Sequence, residues 1–254
     1  MKNIYILSFL SIFVLVGCME DRLTNSQIKT SSVASSESEI KVTSWFVPSP
    51  KENSTIEDLT RKNFYVIFDG SGSMGGSGCA DGSTKEVVAK NALKKFAKSI
   101  NPNYNLGLLV FDGAGVTERV TLATGNRDLF VQKVFESDTN SGTPLKTAMN
   151  RGIAKLKQQA GNQLGYGEYH LVVITDGEAG VGEDPTSVVD EAVGNTPIEI
   201  HTMGFCIGEN HALNQPNKTF YVSANSAEEL MKGLSEVSSE TSSFEDIATN
   251  TFSK

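Results

Sequence analysis

The sequence predicts an α/β fold: a doubly wound, mostly parallel six-stranded sheet with helices on both faces and one antiparallel edge strand. Short continuous apolar runs, typical of buried strands, alternate along the chain with segments whose apolar residues have helical periodicity. Parallel strands need long crossover connections, so this alternation indicates a mainly parallel sheet that is covered on both faces. The 254 residues are enough for one such domain with additional segments at its ends.

Six segments carry the strand signal. The run that begins at Phe64 is continuously apolar, as expected for a strand that is buried on both faces. Segment 118–123 instead alternates between polar and apolar residues and follows its predecessor closely, so it is predicted to be the antiparallel edge strand. The predicted strands are 64–68, 106–111, 118–123, 171–174, 198–205 and 218–222.

Helical periodicity marks the segments between these strands. In segment 84–100 apolar residues recur every four positions, and Ser83 with Glu86 fits a capping box at its start. The other predicted helices are 128–136, one with Pro144 at its first position after Thr143, 185–193 with Asp184 as its cap, and one capped by Ser226 and Glu229.

The start of the chain has the pattern of a secretory signal. Lys2 precedes an apolar run, 4–16, that is too short to cross a bilayer core of roughly 30 Å. Leu15-Val-Gly-Cys18 resembles the bacterial lipobox, which implies cleavage before Cys18 and lipid on that residue. An ordinary signal with a chance cysteine is the alternative. We therefore interpret residues 1–17 as a lipoprotein signal peptide. Met19, in the place where an aspartate would indicate inner-membrane retention, favours the outer membrane.

The remaining length divides into a tether, a domain and a tail. Residues 18–58 are rich in Ser and Thr and lack a sustained period, so we expect a flexible tether. Trp45 and Phe46 are the exception, because they could dock on the domain or on a partner. Residues 59–238 form the predicted domain, and 239–254 a polar C-terminal tail. The net charge of −8 argues against nucleic acid as a partner, because phosphates would be repelled.

Oxygen-bearing side chains follow the first strand at a regular spacing. Asp69, Ser71 and Ser73 are two positions apart and separated by glycines, so an extended turn can point all three to one side. One carboxylate with two hydroxyls is a hard ligand set, suited to magnesium or calcium rather than zinc.

This stretch resembles the metal-ion-dependent adhesion site of von Willebrand factor A domains, whose motif is Asp-x-Ser-x-Ser. Thr143 in Ser-Gly-Thr-Pro-Leu matches the family's threonine ligand, and Asp176 in Val-Ile-Thr-Asp-Gly-Glu matches its second aspartate. The resemblance covers roughly residues 60–238. It implies that Asp69, Ser71, Ser73, Thr143 and Asp176 hold Mg²⁺ (or Ca²⁺ or Mn²⁺).

The resemblance also implies a function. A partner protein would supply a carboxylate to an open position on the metal. The expected protein is therefore a lipid-anchored, non-catalytic binding module of the bacterial cell envelope. The alternative is a scaffold or regulatory subunit of an envelope complex with a structural metal.

The same residues allow two further interpretations. The segment 70–75 also fits G-x-G-x-x-G, the dinucleotide fingerprint, but the predicted helix starts near Ser83 and Asp69 would repel a pyrophosphate. Aspartates with a divalent ion could support phosphohydrolysis, yet the segment after Asp69 lacks the second aspartate that aspartyl phosphatases have.

The histidines His170, His201 and His211 have no metal-ligand spacing and are interpreted as structural.

Two cysteines remain once Cys18 is assigned to lipid. Cys79 and Cys206 form an even pair in an exported domain, which suggests a disulfide. The strands next to them are predicted to be about 9.6 Å apart, so the glycine-rich loop of Cys79 must lean across. Free buried thiols and metal ligation are the alternatives.

Overall fold

Residues 44–240 are described by a computed structural model of the protein, and they contain one six-stranded sheet in the order β3-β2-β1-β4-β5-β6. β3 pairs antiparallel with β2, and all the other neighbouring strands are parallel. The predicted fold class is confirmed, including the antiparallel edge strand. The strands are β1 (Lys62–Asp69), β2 (Asn105–Asp112), β3 (Gly115–Ala123), β4 (Glu168–Thr175), β5 (Glu199–Phe205) and β6 (Phe220–Ala224).

Helices cover both faces of this sheet. α2, α3 and α6 pack on the face that carries Phe64, Val66 and Phe68, and α4 and α5 pack on the face that carries Tyr65 and Ile67. Both faces of β1 are therefore fully buried, which explains its continuous apolar sequence. The helices are α1 (Ile56–Thr60), α2 (Lys85–Ser99), α3 (Arg127–Glu136), α4 (Leu145–Asn162), α5 (Thr186–Asn195) and α6 (Ala227–Glu240).

The start of α2 differs from the predicted capping box. Thr84, not Ser83, is the N-cap, and its hydroxyl accepts a hydrogen bond from the Val87 N–H at 3.3 Å. Glu86 pairs with Lys90 one turn further along instead of reaching back to Ser83. A threonine caps as a serine does, so the sequence offered two equivalent starts and the structure uses the later one.

Two other helix starts also lie one residue later than expected. Pro144 precedes α4 as its N-cap and is not its first helical residue. α5 begins at Thr186 with Pro185 as its N-cap, so Asp184 is not the N-cap as predicted, although its Oδ1 accepts a hydrogen bond from the Thr186 N–H at 2.9 Å. At the start of α6, the Ser226 hydroxyl accepts from the Glu229 N–H at 3.1 Å, in agreement with its predicted cap.

The described part of the predicted tether, residues 44–58, contacts the domain. Trp45 meets Tyr169 edge to face with 5.2 Å between ring centroids, and the Ser49 N–H donates to the Gly161 carbonyl at 2.9 Å. Phe46 lies against Gly165, where a Cβ would come within 2.6 Å of its ring. Of the two predicted roles for the aromatic pair, the structure has them docked on the domain.

The signal peptide at 1–17, Cys18 and residues 241–254 of the predicted tail lie outside the described residues. The first two residues of that predicted tail, 239–254, instead belong to the end of α6. Within residues 44–240, no helix combines the length and the apolar character that crossing a bilayer requires.

We expect Trp45→Ala to lower the free energy of unfolding by about 1–2 kcal/mol, because it removes a half-buried ring and its edge-to-face contact. The adjacent Val47→Ala is the matched control, since Val47 is 83% exposed and should change stability by less than about 0.5 kcal/mol. Urea unfolding of the three proteins measures both effects. Equal stabilities would mean that the aromatic pair does not hold the segment on the domain.

Candidate metal centre

Asp69 and Asp176 lie at the same edge of the sheet. Asp69 is the last residue of β1, and Asp176 directly follows Thr175 at the end of β4. β1 and β4 are parallel neighbours in register, with Phe68 opposite Ile174. Carboxyl ends of parallel strands are where ligands bind in sheets of this kind.

The carboxylate of Asp69 is fully buried and held by two donors. Oδ1 accepts from the Ser71 N–H at 2.6 Å, and Oδ2 accepts from the Thr175 hydroxyl at 2.6 Å. Burial, together with the negative charge of Asp176, raises the pKa of Asp69 to about 6 although these hydrogen bonds oppose it. A nearby cation would remove this conflict.

A chain of hydroxyls joins the loop after β1 to Asp176. Ser71 Oγ lies 2.9 Å from Ser73 Oγ, and Ser73 Oγ donates to Asp176 Oδ1 at 2.7 Å. Ser71 and Asp176 are buried, whereas Ser73 between them is exposed, so this chain of hydrogen bonds reaches the surface at Ser73. The side-chain oxygens of both serines thus face the same small volume as the second aspartate.

Backbone contacts hold this loop in place. The Gly70 N–H donates to the Phe111 carbonyl at 2.8 Å, and the Gly72 N–H donates to the Ser141 carbonyl at 3.0 Å. A Cβ on Gly70 would lie 2.5 Å from the Asp138 carbonyl oxygen, so only glycine allows this close approach. The loop therefore cannot swing away from the sheet edge without breaking these contacts.

Thr143 stands beside the serines, just before α4. Its hydroxyl and that of Ser73 both lie within 3.5 Å of the point that a Cβ on Gly177 would occupy, so the two oxygens are less than about 7 Å apart. The Gly180 N–H donates to the Thr143 carbonyl at 2.9 Å, which ties the segment after β4 to the start of α4.

The donor set fits a hard divalent cation. Its side chains offer two carboxylates and three hydroxyls, and oxygen is the ligand that Mg²⁺ and Ca²⁺ prefer. The structure brings Asp69, Ser71, Ser73 and Asp176 into one hydrogen-bonded set and places Thr143 next to it. That these five residues hold a metal stays a prediction.

Lys85, the first residue of α2, was missed by the sequence reasoning. Its Nζ lies 2.6 Å from Asp176 Oδ2, and its side chain is only 14% exposed. The ammonium offsets one of the two negative charges in the way that a bound metal would. The only signal in the sequence was a lysine at a helix start behind a glycine-rich loop, which is too common to interpret. Thr175, the donor to Asp69, was likewise missed.

Cys79 and Cys206 form a disulfide, with 6.0 Å between their Cα atoms. This confirms the preferred of the three cysteine predictions. The bond joins the loop after β1 to the end of β5, two strands away. The loop leans across the sheet edge as required, with Cys79 at φ +46° and Cys206 at φ +64°. The disulfide limits the motion of the segment between Ser73 and α2.

The dinucleotide interpretation of segment 70–75 fails on the local structure. A single turn of 3₁₀ helix (Gly72–Gly75) follows the strand, and α2 begins only at Lys85. A pyrophosphate-binding loop needs the helix N-terminus directly after its glycines. The N-terminus of α2 instead begins with the lysine that binds Asp176.

Comparison with known proteins gives one family match. The model of the von Willebrand factor type A domain matches residues 63–249. A protein from Bacillus subtilis (strain 168), the uncharacterized YwmD, is 28% identical over 182 residues, which covers 66% of this chain and 80% of that protein.

Solved structures share the fold at low identity. The pilus adhesin SpaC from Lactobacillus rhamnosus GG is 15% identical with a TM-score of 0.55, and the match covers 76% of this chain but only 31% of SpaC. The von Willebrand factor domain of the type V pili tip protein Mfa5 from Porphyromonas gingivalis is 12% identical with a TM-score of 0.53, covering 72% of this chain and 95% of that domain.

We expect the full chain to bind Mg²⁺, and Asp69→Asn to weaken this binding by at least about tenfold, which is about 1.4 kcal/mol. The substitution keeps the shape of the side chain but removes its charge. Asp190→Asn, an exposed carboxylate paired with Lys218, is the matched control. Isothermal titration calorimetry measures all three. Equal affinities in the wild type and Asp69→Asn would place the metal elsewhere.

We expect Lys85→Met to tighten Mg²⁺ binding by about tenfold or more. Unit charges 4 Å apart interact by about 4 kcal/mol near a protein surface, so removal of the ammonium leaves a more negative site. Lys94→Met, an exposed lysine on the same helix, controls for the general loss of positive charge. Calorimetry again reports the change, and a weaker affinity in Lys85→Met would show that the ammonium supports the site instead of competing for it.

Proposed function

Because the chain belongs to the von Willebrand factor type A domain family, we propose that it is a lipid-anchored protein-binding module of the bacterial cell envelope. It engages a partner protein through a divalent metal, Mg²⁺ or else Ca²⁺ or Mn²⁺. The observation that carries the proposal is the chain of contacts from Asp69 through Ser71 and Ser73 to Asp176 at the carboxyl edge of the sheet.

The residues that would hold the metal are Asp69, Ser71, Ser73, Thr143 and Asp176. Bound there, the ion would offer an open position to a carboxylate oxygen of the partner. The protein's own residues prepare the site. Ser71 and Thr175 fix the orientation of the Asp69 carboxylate, and the exposure of Ser73 leaves the site open to a second protein.

These contacts favour a metal that serves partner binding over a metal that serves folding. One of the two negative charges at this end of the sheet is already offset by Lys85, whose ammonium contacts Asp176. The disulfide and the backbone contacts of Gly70 and Gly72 hold the loop without help from an ion. We therefore expect the domain to stay folded without a metal, which favours a metal at an interface over a scaffold with a structural metal.

We propose no catalytic role for the site. The hydrogen bonds to both oxygens of Asp69 orient this carboxylate as a ligand, and the segment after Asp69 lacks the second aspartate of aspartyl phosphatases. The proposed location is the cell envelope, where lipid on Cys18 would anchor the protein, with the outer membrane favoured over the inner membrane. Two of the similar folds belong to a pilus adhesin and a pili tip protein, which supports a role at the cell surface.

The test is capture of a partner from envelope extracts by the full chain with Mg²⁺ or with chelator. We expect one partner that binds only with the metal, that is lost in Asp69→Asn and that is retained in Asp190→Asn. Substitution of a single Asp or Glu of that partner should abolish binding as completely as the chelator does, because the carboxylate of that residue would supply the last ligand of the metal.

Unfolding measurements keep the two metal roles apart. If Asp69→Asn loses the partner but unfolds at the same urea concentration in chelator as the wild type, the metal serves the interface. If chelator alone unfolds the wild type, the metal is structural and the scaffold is the better account. Capture that persists in chelator would contradict the proposal outright.

A further inference from the structure

The amino ends of the strands, at the opposite end of the sheet from Asp69, carry a second cluster of side chains of the types that bind metals. β4 and β5 both begin with the pattern Glu-x-His, as Glu168-Tyr-His170 and Glu199-Ile-His201. The strand register pairs His170 with Glu199. Alternation along β5 puts His201 on the same face as Glu199, so the three side chains meet across the two strands.

Three atoms of this cluster are mutual neighbours. His170 Nδ1 lies 3.1 Å from Glu199 Oε2, His201 Nε2 lies 3.4 Å from the same oxygen, and the two nitrogens are 3.3 Å apart. Both histidines are 3% exposed, whereas the Glu199 side chain is 51% exposed. The triangle is therefore walled by the domain on one side and open to solvent on the other.

Either protons or a cation can satisfy this triangle. Each imidazole nitrogen carries either one proton or one lone pair, and an exposed glutamate is ionised near neutral pH. If both nitrogens are protonated, both N–H groups can donate to Glu199 Oε2, with the two nitrogens 3.3 Å apart. If only one is protonated, a nitrogen lone pair faces the carboxylate oxygen. A cation at the centre would accept all three lone pairs at once.

The distances match the coordination of zinc. Ligand atoms at about 2.0–2.1 Å from a tetrahedral zinc ion are about 3.3–3.4 Å from one another. The three observed separations of 3.1, 3.3 and 3.4 Å correspond to one face of such a tetrahedron. We propose that His170, Glu199 and His201 bind a zinc-class divalent transition metal, with solvent at the fourth position.

The surroundings of His170 support this assignment. Its Nε2 is buried and has no hydrogen-bond partner among residues 44–240, but Glu168 Oε2 lies 3.7 Å away. Metal on Nδ1 fixes the proton on Nε2, and a small movement of Glu168 would let this N–H donate. Ligating histidines generally donate their other nitrogen to a carboxylate in this way.

Aromatic rings hold the two imidazoles in position. His170 stacks on Phe64 with 4.7 Å between centroids, and His201 stacks on Phe220 with 4.9 Å. Both stacks are near parallel, at 11° and 17°. The ligands are thereby preorganised before a metal arrives, which lowers the entropic cost of binding.

This site is distinct from the proposed metal centre and does not depend on it. His170 and Asp176 are at opposite ends of β4, roughly 20 Å apart at about 3.3 Å per residue. Imidazole nitrogens suit zinc, copper or nickel, whereas the all-oxygen edge suits magnesium or calcium. The two sites can therefore be loaded and tested separately.

The test uses the full chain without an affinity histidine tag, stripped of metal and kept in excess Mg²⁺. Zinc titration calorimetry should show one equivalent bound, and cobalt should give the visible absorption of a tetrahedral site. Glu199→Gln and His201→Gln should each lose this binding. Glu168→Gln, which touches no metal, should weaken it by only about 10- to 100-fold.

Two controls make the outcome decisive. Glu191→Gln, an exposed glutamate on α5, and Asp69→Asn, at the other edge, should both bind zinc as the wild type does. Glu199→Gln leaves both histidines in place, so it remains informative if His201→Gln fails to fold. Undiminished zinc binding in a folded Glu199→Gln, or no zinc binding by the wild type, would overturn the proposal.

Discussion

The hydrogen bond from Ser73 Oγ to Asp176 Oδ1 joins residues that are 103 positions apart, and the proposed function depends on it. It exists because β1 and β4 are adjacent parallel strands whose polar ends reach the same edge. The buried strands fix the position of Asp69, and Gly70 and Gly72 press the loop against the neighbouring segments. The geometry of the site is therefore a consequence of sheet topology, and the loop residues only complete it.

Two carboxylates this close together repel each other, and a cation between them relieves the repulsion. Without metal, Lys85 relieves part of this repulsion, and Asp69 retains a raised pKa of about 6. Because the repulsion is only partly relieved, the carboxyl end of the sheet can be stable without a metal and, on the proposed function, still attract a divalent ion. If the site holds a metal as proposed, Lys85 would lower its affinity by competing for Asp176.

Thr143 and Asp176 followed only from the resemblance to the von Willebrand factor A family. The sequence itself allowed the fold class and the group of Asp69, Ser71 and Ser73 to be predicted, because apolar runs and the Asp-x-Ser-x-Ser spacing are local signals. It did not reveal Lys85 or Thr175, whose roles exist only after distant segments meet. His170 and His201 were interpreted as structural because their 31-residue separation has no ligand spacing. Only the register of β4 with β5 brings them together, although the repeated Glu-x-His at two strand starts was visible.

The central claim is that five side chains from three distant segments surround one divalent ion. The most direct measurement is an anomalous difference map from crystals grown with Mn²⁺. We expect a peak roughly 2.0–2.3 Å from the hydroxyl oxygens of Ser71 and Ser73, with Lys85 displaced from Asp176. A map with no peak at this edge, and with the Lys85 ammonium still on Asp176, would contradict the account.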